Sequence, residues 1–302
     1  MKFGKLPDIS RVNFTLPPDH PQTAEALSRL SHESAPRVCV GSARWGEKDL
    51  VGKIYPPKTP SGEFLTYYSR HFSTIELNTT HYRIPTPSLV QQWCEKTEPG
   101  FLFCPKVPQL ISHQADFGHS FRATDQFLAG LESFGPQLGL PFLQLPPSFS
   151  PQAGKSLFSY LADWPSSVPL AVEFRHPDWF HHPRIRDRAF YLLEEMGISP
   201  VITDTAGRRD VLHQRLTSSS VFIRFVGNRL HATDYLRIDT WVRRIRQWLA
   251  AGMQQIYFIV HQPEEHLCVD LAIYLVEQLN QHCELRLTPP HPISLGVQQT
   301  LF

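Results

Sequence analysis

Residues 170–205 read LAVEFRHPDWFHHPRIRDRAFYLLEEMGISPVITDT. A short run of apolar and β-branched residues at 170–176 predicts a strand. An amphipathic pattern over 183–196 predicts a helix, and a second buried run at 199–205 predicts another strand. Near-continuous hydrophobicity is what strands covered on both faces look like. The stretch is one β-helix-β unit of a parallel sheet.

The same alternation extends outward in both directions. Strand-length runs recur at 38–43, 74–79, 101–107, 140–146, 221–227 and 255–262. Helical patterns occupy 61–72, 87–96, 123–134, 235–251 and 266–281, with a shorter one at 153–162 and a weak one at 208–216. Eight strands alternating with helices over about 250 residues predict an α/β fold, a (β/α)8 barrel of the TIM type. The alternative, an open doubly wound sheet, usually carries a Gly-rich phosphate loop after its first strand. Here that strand runs into Gly41-Ser42-Ala43-Arg44-Trp45-Gly46, which lacks the fingerprint. The expected organisation is an N-terminal extension over 1–36 that wraps the domain, a barrel over 37–285, and a tail over 286–302.

The composition narrows the function classes. Of 302 residues, 29 are Lys or Arg and 28 are Asp or Glu, so the net charge is +1. That balance argues against a general polyanion binder, though not against a local basic pocket. The five cysteines are scattered with no CxxC pair, which disfavours a structural zinc site and fits a reducing, cytoplasmic location. No apolar run has the length of a membrane span, and MKFGKLPDIS carries no signal-like apolar core.

In a barrel, chemistry comes from the C-terminal strand ends and the loops after them. Glu76 and Asn78 lie two apart on the second strand, and so do Glu173 and Arg175 on the fifth, followed by His176. Lys106, Gln144, Asp204, Arg224 and His261 fall at the other ends. The residues between them, Ile75, Leu77, Val172 and Phe174, are apolar and would face the helices. Lys106, Arg175 and Arg224 are expected to hold a carboxylate or phosphate. Glu173 is the preferred general base, Glu76 the second, and Asp204 the third acid. A self-satisfied ion-pair network is the structural alternative. No cofactor motif is present. A divalent metal on Glu76, Glu173, Asp204 and His261 is a weaker alternative, because three basic groups oppose a cation. Trp45, Tyr55, Tyr82, Arg83 and Trp179 follow strand ends, where they either stack on a ligand or cover the mouth. No GxSxG elbow or P-loop is found.

Several of these residues resemble motifs of the YecE-like family, the domain of unknown function numbered 72. They are Thr74–Arg83 (TIELNTTHYR), Phe103–Pro108 with Ile111-Ser112-His113, Phe142–Phe149 (FLQLPPSF) and Ala171–Phe180 (AVEFRHPDWF). The resemblance covers about residues 38–280 and implies a TIM-type barrel. It supplies no reaction. Its pattern covers Glu76, Asn78, Tyr82, Arg83, Lys106, His113, Gln144, Glu173, Arg175, His176, Asp204 and Arg224. The sequence departs from it at Arg44, at Val226, at His261-Gln262 and at His266.

The chain ends Gln298-Gln299-Thr300-Leu301-Phe302. This resembles the peptide by which bacterial proteins dock on the DNA polymerase sliding clamp. Leu301 and Phe302 would enter an apolar groove while Gln298 bonds at its edge. Three functions therefore compete. The first is an enzyme using acid–base chemistry on a small anionic or sugar-like compound: hydrolysis, isomerisation or elimination. The second is a repair or replication factor recruited by the tail. The third is a binding scaffold without chemistry. The enzyme reading expects an open polar pocket at the strand ends.

Overall fold

A computed structural model describes residues 4–29, 35–114, 116–117 and 120–293. Its centre is eight parallel strands: β1 (Arg37–Ser42), β2 (Thr74–Leu77), β3 (Leu102–Pro105), β4 (Phe142–Gln144), β5 (Ala171–Glu173), β6 (Ser199–Asp204), β7 (Ser220–Val226) and β8 (Gln255–His261). They pair in the order β3-β2-β1-β8-β7-β6-β5-β4. Two isolated bridges, Phe103 to Leu138 and Lys106 to Phe142, join β3 to the β4 side and round off the barrel. Gly139 makes that seam possible. Its N–H donates to the Phe103 carbonyl at 2.7 Å, and a Cβ there would lie 2.8 Å from that oxygen.

The pleat sorts the side chains. Cys39, Leu102, Cys104, Phe142, Ala171, Phe222 and Tyr257 belong to the cluster that fills the barrel, where the Phe142 and Phe222 rings stack at 4.9 Å. Ile75, Leu77, Val172 and Phe174 join the larger core between strands and helices. The main outer helices are α2 (Phe64–His71), α4 (Pro87–Glu95), α6 (Phe121–Glu132), α7 (Gly154–Ala162), α9 (Pro183–Glu195), α10 (Ala232–Ala250) and α11 (His266–Cys283). One-turn helices α3 (Thr79–Tyr82), α5 (Gln109–Ser112) and α8 (Asp178–His181) follow β2, β3 and β5. Among the described residues, no helix is long and apolar enough to cross a membrane.

The weak helix expected over 208–216 is absent. A single 3-10 turn, Arg209–Val211, is followed by extended chain with buried His213, Gln214 and Arg215. Its polar groups pair with the N-terminal extension instead. The Gln214 carbonyl accepts from His20 N at 3.1 Å and Thr23 Oγ1 at 2.9 Å, and Leu216 N donates to Thr23 Oγ1 at 3.1 Å. The N-terminal helix α1 (Pro21–Ser28) thus takes the empty slot in the helical ring. On one side His20 and Arg29 reach Asp187 and Glu194 of α9, and on the other Asp19 pairs with Arg244 of α10. The extension continues to the C-terminal end of β6, where the Gly4 carbonyl accepts from Gly207 N at 2.8 Å.

Candidate functional site

The top layer of the barrel is made of charge. Arg224 of β7 reaches across the lumen, with Nε and Nη2 on the two carboxylate oxygens of Glu76, each at 2.9 Å. Its Nη1 lies 3.2–3.3 Å from both oxygens of Glu173. Glu173 also accepts from Arg175 Nε at 2.9 Å, Gln144 Nε2 at 2.7 Å and Thr203 Oγ1 at 2.8 Å. Glu76 also accepts from Asn78 Nδ2 at 3.0 Å and lies 2.9 Å from His261 Nε2. Glu76 is fully buried, and Glu173 and Arg224 are each 1% exposed.

Both carboxylates are held ionised. Burial alone would raise the Glu173 pKa, but Arg175 and Arg224 overcome it and hold the group at about 2. Burial opposes ionisation of Glu76 too, and Arg224 and His261 keep it well below the usual carboxylate range. Every carboxylate oxygen of the pair is already engaged. A carboxylate this acidic and this saturated is a poor proton acceptor. The base role expected for Glu173 and Glu76 does not suit them, and they serve to hold the cations.

Lys106 differs. Its Nζ donates to Gln144 Oε1 at 2.7 Å, and among the described residues it has no ion-pair partner. Burial lowers its pKa, the Arg224 charge adds to this, and the group sits at about 8. The layer holds three cations (Lys106, Arg175, Arg224) against two carboxylates (Glu76, Glu173), one positive charge in excess.

Asp204 is not part of this layer. It pairs in register with Phe225, whereas Thr203 pairs with Arg224. The lumen position therefore belongs to Thr203, and Asp204 points outward. There it meets Arg209, Arg237 (2.8 Å) and Trp241 Nε1 (2.8 Å). Thr203 went unnoticed in the sequence because it is uncharged, although it lies two residues after Val201, which belongs to the cluster that fills the barrel. His176 caps the following turn, with Nδ1 3.2 Å from Asp178 N. Tyr82 is 73% exposed, and Arg83 is exposed at the end of α3. These three are not brought into the charged layer. Gln298, Leu301 and Phe302 lie outside the described residues. Among the described residues, no three His, Cys, Asp or Glu side chains come together for a metal.

Two histidines join the site that the strand-end reading left out. His81 and His113 meet edge to face at 5.1 Å, and His81 Nδ1 is 3.0 Å from the Val107 carbonyl. Burial and the Lys106 charge lower both pKa values, that of His81 to about 4. His113 also lines a cleft of about 420 Å³ with Pro146, Ser148, Phe149 and Gln152. Lys106, Gln144, Glu173, Arg175 and Arg224 do not line this cleft, which reaches the histidine pair at His113.

Residues 39–294 match the model of "Protein of unknown function DUF72". The chain belongs to the DUF72 family. It is 31% identical over 235 residues to UPF0759 protein YecE of Escherichia coli K12, covering 72% of this chain and 86% of YecE. It is also 31% identical over 174 residues to UPF0759 protein YunF of Bacillus subtilis, covering 54% and 60%. A DUF72 protein of Enterococcus faecalis superposes with a TM-score of 0.63 at 18% identity, over 86% of this chain and all of that one. One of Thermotoga maritima gives 0.61 at 23%, over 82% and 99%. The two superpositions agree with the fold described above. The His261 ring of the eighth strand lies against Glu76.

Proposed function

We propose that the barrel mouth binds a small anion and moves a proton on it, with Lys106 as the acid–base group. The observation that carries this reading is the Lys106 ammonium: buried, bonded to one neutral amide oxygen, and without an ion-pair partner among the described residues. A desolvated lysine beside other cations is activated for proton transfer, and when charged it stabilises developing negative charge. Arg175 and Arg224 would supply the electrostatic field, and His113 would contact the ligand from the cleft side. Isomerisation, elimination and hydrolysis of small carboxylates or phosphates all use such a set. The test is a panel of these anions screened for thermal stabilisation, each hit then followed for turnover with wild-type and Lys106→Met protein. Turnover that survives in Lys106→Met overturns the reading. Tight binding with no turnover favours a scaffold.

The tail supports a second, independent proposal: docking on the sliding clamp. The chain is tied down close to the tail, with Leu287 bonded twice to Asn280 and Ile293 N donating to the Lys53 carbonyl at 2.7 Å. The clamp-like peptide follows shortly after this anchor. A synthetic peptide of the last residues should bind a purified bacterial clamp, and Phe302→Ala should abolish binding. Equal binding of both peptides rejects it.

A further inference from the structure

A second cavity lies at the other end of the barrel. It measures about 720 Å³, within the range of small-molecule sites. Its walls are the start of β1, the end of α2, the segment before β3, α11 and the chain that follows α11. The barrel face that carries chemistry is the opposite one, so an occupant here is not the substrate of the mouth.

The lining is divided by polarity. Val38, Val40, Phe72, Phe101 and Val276 are at most 4% exposed and form the floor. The rim carries Arg37, Arg70 and Arg286, all exposed, against one carboxylate, Glu98. Glu98 is already taken by Arg70 Nε at 3.1 Å. The Arg37 side chain bonds to the Gly100 carbonyl and lies beside the Cys39 thiol, and among the described residues neither Arg37 nor Arg286 has an ion pair. Arg37 and Arg286 thus line a cavity of mixed polarity with an apolar floor, and among the described residues neither has a carboxylate partner. Guanidinium groups so placed favour carboxylate or phosphate.

We propose that this cavity is a binding site for an amphipathic anion: an aliphatic or aromatic body on the floor and one carboxylate or phosphate at the Arg37–Arg286 rim. The burial gradient sets the orientation, body inward and charge outward. The body contributes through apolar area removed from water, and the head selects anions over alcohols.

Calorimetric titration of the full chain tests this with octanoate and octyl phosphate as probes, and with octanol and inorganic phosphate as controls. At least one amphiphile should bind about tenfold or more tightly than either control, and comparing the two identifies the preferred head group. Arg37→Ala combined with Arg286→Ala should weaken that binding about tenfold. Both side chains are exposed, so the double variant should unfold like wild type. Arg243→Ala, an exposed charge on α10, should leave affinity unchanged. Octanol binding as well as octanoate, an unaffected double variant, or no binding of either amphiphile overturns the proposal.

Discussion

Arg224 and Glu76 form a two-pronged ion pair across the barrel, with both contacts at 2.9 Å and both side chains out of water. The third guanidinium nitrogen, Nη1, holds Glu173. Removing the arginine leaves buried Glu76 without a permanent cation and Glu173 with Arg175 alone. Arg224→Met should therefore cost about 3–5 kcal/mol in urea unfolding at pH 7. Arg224→Lys keeps the charge but loses the fork, so its cost should be intermediate. The double variant Glu76→Gln with Arg224→Met should be less destabilised than Arg224→Met alone, because the buried carboxylate that lost its guanidinium is gone. A strictly additive loss would show that the pair is not coupled.

Lys106 should respond in the opposite sense. Burial lowers its pKa from 10.5 to about 8, so the charged form is disfavoured in the folded state. Between about pH 8 and 10.5 the unfolded chain binds more protons, and stability should rise with pH through that window. Below pH 8 the full cost of the buried ammonium is present. Lys106→Met should therefore stabilise the protein at pH 7 by about 1–3 kcal/mol while abolishing anion-dependent stabilisation. Thermal unfolding with and without the best anion reads both effects. A destabilised Lys106→Met would show that the ammonium is structural.

The barrel was legible because each strand is a separate apolar run, and because Glu76, Lys106, Glu173 and Arg224 mark the same end of four of them. Which carboxylate faces the lumen was less legible. A charge at a strand end does not reveal pleat phase, and Asp204 falls one residue out of phase with Arg224. The His81–His113 pair depends on two one-turn helices meeting, which periodicity does not encode. The sixth outer helix was misread for a similar reason. Residues 208–216 find their hydrogen-bond partners about 190 positions away, in the N-terminal extension.

That long-range contact makes Thr23 a sharp probe. Its hydroxyl donates to the Gln214 carbonyl and accepts from Leu216 N, and the residue is 1% exposed. Thr23→Val keeps the shape but leaves a buried N–H and a carbonyl short of a partner. The expected cost is about 1–3 kcal/mol. Hydrogen exchange should quicken at Leu216 and along α1 while the β7–β8 amides stay protected. Unchanged exchange at Leu216 would mean that α1 does not hold this segment.

Glu265 should set a second pH dependence, of opposite sign to that of the charged layer. It is the N-cap residue of α11, is 4% exposed, and its Oε1 has no hydrogen-bond partner among the described residues. Burial raises its pKa from 4.5 to about 7, although Ser42 and Arg44 pull the other way. Between these two values the folded chain holds a proton that the unfolded chain has released, so this group makes stability fall as pH rises from about 4.5 to 7. Glu173, held at about 2, contributes stability that is present above pH 4.5 and lost as pH falls toward 2. The two windows do not overlap, so they separate experimentally. Glu265→Gln cannot ionise. It should gain on wild type by up to roughly 3 kcal/mol at pH 8 and by little at pH 4.5. Paired unfolding curves at the two pH values decide it. A pH-independent difference would place the Glu265 carboxyl in water, with an ordinary pKa and no part in this pH dependence.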